Sequence, residues 1–118
     1  MRIGALSELT GVSRRLIRYY ELHGLLHSRR TANGWREFDD DARARVRNIR
    51  ELLESGLNVA DIKRVASCLD QDLDPAKCHE ALAMYSDRLA ELDRQFSNVS
   101  RHRDKIRDRI AGAQRHSS

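Results

Sequence analysis

Ile3, Leu6 and Leu9 recur at a spacing of three, which predicts a short helix at the start of the chain. Gly11 stands where a helix-ending glycine belongs. Ser13 then suits the N-cap of a second helix, whose apolar face is Leu16, Ile17 and Tyr20. Gly24 ends that helix, and Leu25 and Leu26 pack beneath it. The first 26 residues therefore predict helix, tight glycine turn, helix.

Asn33-Gly34 is the strongest hairpin signal in the chain, because both residues tolerate positive φ. Trp35 and Phe38 flank Arg36 and Glu37, giving a small two-stranded wing over 29–38. Asp39, Asp40 and Asp41 favour a helix start by capping and by the macrodipole. Val46, Ile49, Leu52 and Leu53 are the buried stripe of that third helix, and Gly56 ends it. Asn58 and Asp61 make a weakened capping box for a fourth helix, which Ile62, Val65, Ala66 and Leu69 carry inward. "DQDLDPAK", with the single proline Pro75, breaks the pattern. The expected division is a domain over 1–69, a linker over 70–79, a long helix over 80–113 and a tail over 114–118.

Beyond the linker the periodicity changes. Leu82, Tyr85, Leu89, Leu92, Phe96, Val99, Arg103, Ile106, Ile110 and Ala113 alternate steps of three and four, a heptad repeat with one charged intrusion. Such a helix is about 50 Å long at 1.5 Å per residue. Its stripe is narrow, and the first four helices can only just bury their own apolar faces. A second copy of the same helix is the economical partner, so a homodimer is expected; a long helix folded back on its own domain is the other solution. Arg103 either reaches to solvent at the edge of the seam or pairs with an acid of the partner.

Composition narrows the function. Aromatics are 5% and charged residues 34%, which suits a helical protein better than a compact enzyme. No run approaches the roughly 18 apolar residues of a membrane span, and Glu8 interrupts a start already too short for a signal peptide. The expected location is the cytoplasm, with Cys68 and Cys78 reduced. The net charge is +4, but residues 1–36 hold seven arginines against two acids, whereas residues 70–118 balance nine bases with nine acids. Positive charge concentrated on one module is the footprint of a polyanion partner. There is no glycine-rich phosphate loop, no paired carboxylates beside a nucleophile and no HExxH, so an enzyme is not expected.

A glycine turn between two helices, the second carrying Arg14, Arg15 and Arg18 outward, is a helix-turn-helix arrangement, with Leu6, Leu9, Val12, Leu16 and Ile17 holding the helices together. With the wing and the heptad helix added, the chain resembles the MerR family of bacterial transcription regulators. The matching stretches are "IGALSELTGVSRRLIRYYELHGLL", "RTANGWREF" and "IRELLESGLNVADIKRV". The resemblance implies an all-α fold with a β-hairpin wing, a winged helix-turn-helix domain joined to an antiparallel coiled coil. It implies a homodimer on a pseudo-palindromic promoter, acting with RNA polymerase by distorting the double-stranded DNA. Carried over, Arg14, Arg15 and Arg18 serve the recognition helix, Tyr19 reaches the DNA, and Arg36 is the wing arginine with Arg29 or Arg30 on the same flank. Lys63, placed near the start of the fourth helix, matches a backbone-contacting position, and Leu82, Tyr85, Leu89, Leu92, Phe96, Val99, Ile106 and Ile110 form the dimer seam.

The family's metal sensors place a cysteine near the start of the long helix and two further ligands after its end. Cys78 holds the first place, but only "QRHSS" follows Ala113, so no complete site of that type, and no cofactor, is expected. Three readings of the sensor residues stand open. Cys68 and Cys78 are a thiol switch; or Cys78 and His79 hold a metal with a partner group; or Cys78 is buried at the heptad seam and Cys68 is a small hydrophobe. The alternative function is a coiled-coil protein-interaction module whose basic face is incidental.

Overall fold

The computed structural model describes residues 1–70 and 78–116. Five helices run in the order α1 (Ile3–Thr10), α2 (Arg14–Leu22), α3 (Ala42–Glu54), α4 (Val59–Arg64) and α5 (His79–His116), with a two-stranded hairpin between α2 and α3 and a single 3₁₀ turn, Ala66–Cys68, after α4. The fold class is as expected, and most helix ends follow local chemistry. Gly11 adopts φ 72° and its N–H bonds Ser7 O. Ser7 Oγ donates to Val12 O at 2.7 Å, and Thr10 Oγ1 accepts from Val12 N, which closes the turn between α1 and α2. The Ser13 side chain accepts from Leu16 N, and the Asn58–Asp61 capping box forms in full.

The chain divides into two compact units, residues 1–84 and 85–118. In the first, α1 packs on α2 and α3, and α3 on α4. Leu6, Val12, Ile17, Tyr20, Leu25, Leu26, Val46, Ile49, Ile62, Val65 and Leu69 make one core. Arg45 fastens its rim: Nε donates to Leu25 O at 2.7 Å, and Nη1 to Ala66 O at 3.1 Å. Arg47 and Arg50 reach from α3 to the carbonyls of Leu9 and Gly11, placing cations at the negative end of α1. In the second unit, α5 continues as a single helix, with Leu89, Phe96, Val99, Ile106 and Ile110 exposed. The whole of α5 is about 57 Å long at 1.5 Å per residue.

Several expectations are corrected. Leu9 and Leu16 are each 45% exposed, because the core at the α1–α2 turn is filled by Leu6, Val12 and Ile17. Leu53 is only half-buried, and Ala66 is exposed, because α4 stops at Arg64 and the 3₁₀ turn rotates Ala66 outward. Asp41 precedes α3 but makes no side-chain cap; the turn is closed instead by Ala42 N on Asp39 O. Lys63 lies in the last turn of α4 rather than near its start. Of the expected linker, residues 71–77 lie outside the described residues, and α5 begins at His79 and runs past 113 to His116.

The cysteines differ most. Cys68 and Cys78 are joined by a disulfide across Cα atoms 6.2 Å apart, so neither is the free thiol expected. Nor does Cys78 belong to the exposed heptad stripe. It is buried with Ala81 and Met84, at steps of three, while Leu82 is 54% exposed. Two stripes therefore share the first turns of α5. The inner one completes the core of the first unit.

Candidate nucleic-acid interface

Helix α2 separates two adjacent tyrosines. Tyr20 is 1% exposed and Tyr19 43%. Burial pushes the Tyr20 phenol above the ordinary tyrosine range, with nearby Arg50 working the other way. Tyr19 faces outward with its ring centroid 4.2 Å from that of His23, one turn on. Arg14, Arg15 and Arg18 are exposed beside it, and none has an acidic partner among the described residues.

The wing is built on the pairing Arg29↔Glu37 and Arg30↔Arg36 of β1 (Arg29–Arg30) and β2 (Arg36–Glu37). Gly34 N donates to Thr31 O at 2.9 Å and Thr31 N to Trp35 O at 2.8 Å, so the loop is a three-residue one. Only Gly34 of the Asn-Gly pair takes positive φ, at 80°. Side chains alternate across a strand. Arg30 and Arg36 therefore share one face as direct neighbours, a like-charge pairing that a hairpin adopts at a cost. Arg29 lies on the other face, where Nη2 pairs with Asp39 Oδ1 at 2.8 Å. Of Arg29 and Arg30, it is Arg30 that shares the flank of Arg36.

Glu21 joins the wing to α2. Its Oε1 accepts from Arg36 Nη1 at 2.9 Å, and its Oε2 accepts from Ser28 Oγ. Arg36, Arg18, Glu21 and Leu22 line a shallow cleft of about 540 Å³. A second cleft of about 750 Å³ lies between the start of α1, the start of α2 and the wing. Four arginines edge it, Arg2, Arg14, Arg30 and Arg36, against one acid, Glu8. The Arg2 guanidinium sits 4.2 Å from the ring centre of Trp35, a cation–π contact that holds the wing tip toward α1. Arg14 lies across Gly4 so closely that a Cβ there would stand 2.7 Å from its Nη2.

The structure thus brings Arg14, Arg30 and Arg36 to one cleft and Arg18 and Arg36 to another, with Arg15 and Tyr19 on the same helix. Lys63 is exposed on α4. Sequence reasoning missed Arg2, Trp35 and Glu21. Glu21 had a visible signal, an acid three residues after Arg18 on a basic helix; Arg2 and Trp35 are 33 positions apart and had none. At the other end of the unit, Glu80 Oε2 lies 3.9 Å from Cys68 Sγ and 3.8 Å from Cys78 Sγ. His79 is exposed and is no part of that group.

The same architecture recurs in known proteins. Residues 1–68 match the model of the MerR HTH family of regulatory proteins. The chain belongs to the MerR family. Among its relatives is the nodulation protein NolA of Bradyrhizobium elkanii, 32% identical over 96% of this chain and 48% of that protein. The chain spans about half to three-fifths of the length of the first curated relatives it matches. The transcription regulator PbrR691 of Ralstonia metallidurans CH34, solved in complex with lead(II), shares the fold at a TM-score of 0.74. It is 22% identical, over 92% of this chain and 83% of that one. HiNmlR, a MerR family regulator lacking the sensor domain and solved on promoter DNA, matches at 0.58 with 25% identity over 88% of this chain and 78% of that one. The MerR family is one of transcription regulators, and among the described residues no helix is long and apolar enough to cross a membrane.

Proposed function

We propose that this MerR-family chain is a non-enzymatic, cytoplasmic transcription regulator that binds a pseudo-palindromic promoter as a homodimer. The single observation that carries this is a cluster of arginines in which, among the described residues, Arg36 alone is paired with an acid, Glu21. Arg14, Arg15 and Arg18 leave α2 on its exposed side, and Arg30 stands opposite Arg36 on the adjoining wing. Like charges placed side by side are offset by a polyanion, and a duplex with its regular phosphates is the partner they fit. Here α2 enters the major groove with Arg14, Arg15 and Arg18, while Tyr19 donates its hydroxyl to a phosphate. Arg30 and Arg36, and more distantly Arg29 and Lys63, grip the backbone.

The exposed stripe of α5 supplies the dimer. Leu82, Tyr85, Leu89, Leu92, Phe96, Val99, Ile106 and Ile110 pack against the same residues of a second chain, and Arg103 reaches solvent at the seam edge. Two reading heads on one rigid coiled coil impose a fixed half-site spacing. A fixed spacing lets the dimer bend and untwist the DNA between its heads and so alter what RNA polymerase meets at the promoter.

The test is operator affinity against salt. An operator selected from random duplexes should be bound with a steep salt slope. Arg15→Ala should weaken binding and flatten the slope by roughly 0.9 unit, because the variant neutralises one phosphate fewer. An unchanged affinity and slope in both Arg15→Ala and Arg36→Ala would contradict the assignment.

A further inference from the structure

The disulfide has no part in reading DNA, yet it sits at the junction where the first unit takes in the start of α5. Cys68 ends the 3₁₀ turn that follows α4, and Cys78 immediately precedes α5. Cys68 is half-buried, whereas Cys78 is 3% exposed. A disulfide in a cytoplasmic chain faces a reducing thiol pool, and such bonds are as a rule transient. This step rests on the cytoplasmic regulator reading above. A pair that is bonded in one state and reduced by its surroundings in another is a redox couple.

We propose that Cys68 and Cys78 are an oxidation site for hydroperoxides, and that their state sets operator affinity. Accessibility orders the chemistry. The Cys68 thiolate attacks the distal peroxide oxygen; the O–O bond breaks, the alkoxide leaves and takes a proton, and Cys68 becomes a sulfenic acid. The Cys78 thiolate then attacks Cys68 Sγ; the S–O bond breaks and hydroxide leaves as water. Two thiols and one hydroperoxide become a disulfide, an alcohol and water. Cys78 suits the second role, since it is buried immediately ahead of α5 and within bonding reach of the more accessible Cys68. Glu80 Oε2 stands within 4 Å of both sulfurs, beside the bond. Forming the bond ties the turn after α4 to the residue ahead of Ala81 and Met84, which are fully buried. Breaking it removes that covalent tie from the first stretch of α5.

The experiment uses the full chain, reduced and then treated with hydrogen peroxide. Mass spectrometry should show the loss of two hydrogens and one peptide linking residues 68 and 78 within a chain. Cys78→Ser should trap a sulfenic acid on Cys68, captured by dimedone, and Cys68→Ser should trap none. On an operator selected by the reduced chain, oxidation should change affinity by about fivefold or more, the low end of ordinary coupling between sites. Dithiothreitol should reverse the change, and both serine variants should abolish it. Failure to form the link, a link between two chains, or a linked chain with unchanged affinity would overturn the proposal. A reduced chain that selects no sequence counts against the promoter reading instead, and the mass measurements still decide the thiol chemistry.

Discussion

Residues 1–84 and residues 85–118 are both mainly helical, but they dispose of their apolar side chains in opposite ways. The first unit encloses Leu6, Ile17, Tyr20, Ile49, Ile62 and Met84 almost completely and leaves most of its arginines outside. The second leaves Phe96 74% exposed and Val99 65% exposed, at heptad spacing along a single helix. Each such side chain forgoes ~1.5–3 kcal/mol while it stays in water. One region is complete in itself and has a charged surface to offer a ligand. The other has an exposed apolar stripe, which on the proposed reading a second copy covers.

Charging the stripe should have the largest effect. Leu89→Arg with Phe96→Arg should convert a dimer to a monomer in sedimentation, with operator affinity falling by two orders of magnitude or more and the circular dichroism of the first unit retained. A variant that stays dimeric would deny the stripe its role. Next in size, Tyr20→Ala opens the core of the first unit. It should cost about 3–5 kcal/mol by chemical denaturation. Tyr19→Phe acts on the outer face alone; it should leave stability unchanged and weaken operator binding by about 1 kcal/mol, the worth of one hydrogen bond. If Tyr19 and Tyr20 exchanged these effects, the assignment of the two faces of α2 would be reversed. Gly4→Ala has a smaller effect still. A helical alanine gains roughly 0.5–1 kcal/mol over glycine, while its Cβ displaces the Arg14 guanidinium, so thermal stability should rise slightly as affinity falls. The smallest effect concerns pH. Burial raises the Tyr20 pKa above its value in the unfolded chain, so the folded state holds the proton longer. That contribution is intact below the ordinary value of 10.0 and is lost as pH rises through the folded pKa. Tyr20→Phe should therefore flatten the fall in stability at alkaline pH.

Local chemistry was legible in the sequence. Gly11, Ser13 and the Asn58–Asp61 box behave as their residue types dictate, because caps depend on neighbours within three or four positions. The burial of Tyr20 followed from helical periodicity for the same reason. What stayed hidden depends on how distant segments meet. Steps of three and four mark a stripe on α5, but they do not tell which of two adjacent stripes turns inward. Leu82 does lie on the outer stripe, whereas Cys78, in phase with it by spacing, lies on the inner one. The Cys68–Cys78 bond depends on where the end of α4 meets the start of α5, and the Arg2–Trp35 contact on the fold of the wing. Charge proved ambiguous by itself: Arg45, Arg47 and Arg50 bind carbonyls of their own unit, whereas Arg14, Arg15 and Arg18 bind no acid among the described residues.

On this view one region supplies the grip and the other pairs two such grips. Sedimentation of the full chain with its selected operator measures both at once. Two chains per duplex are expected, with loss of that complex when either half-site is scrambled and dissociation with rising salt. One chain per duplex, or equal binding to scrambled DNA, would contradict this division of labour.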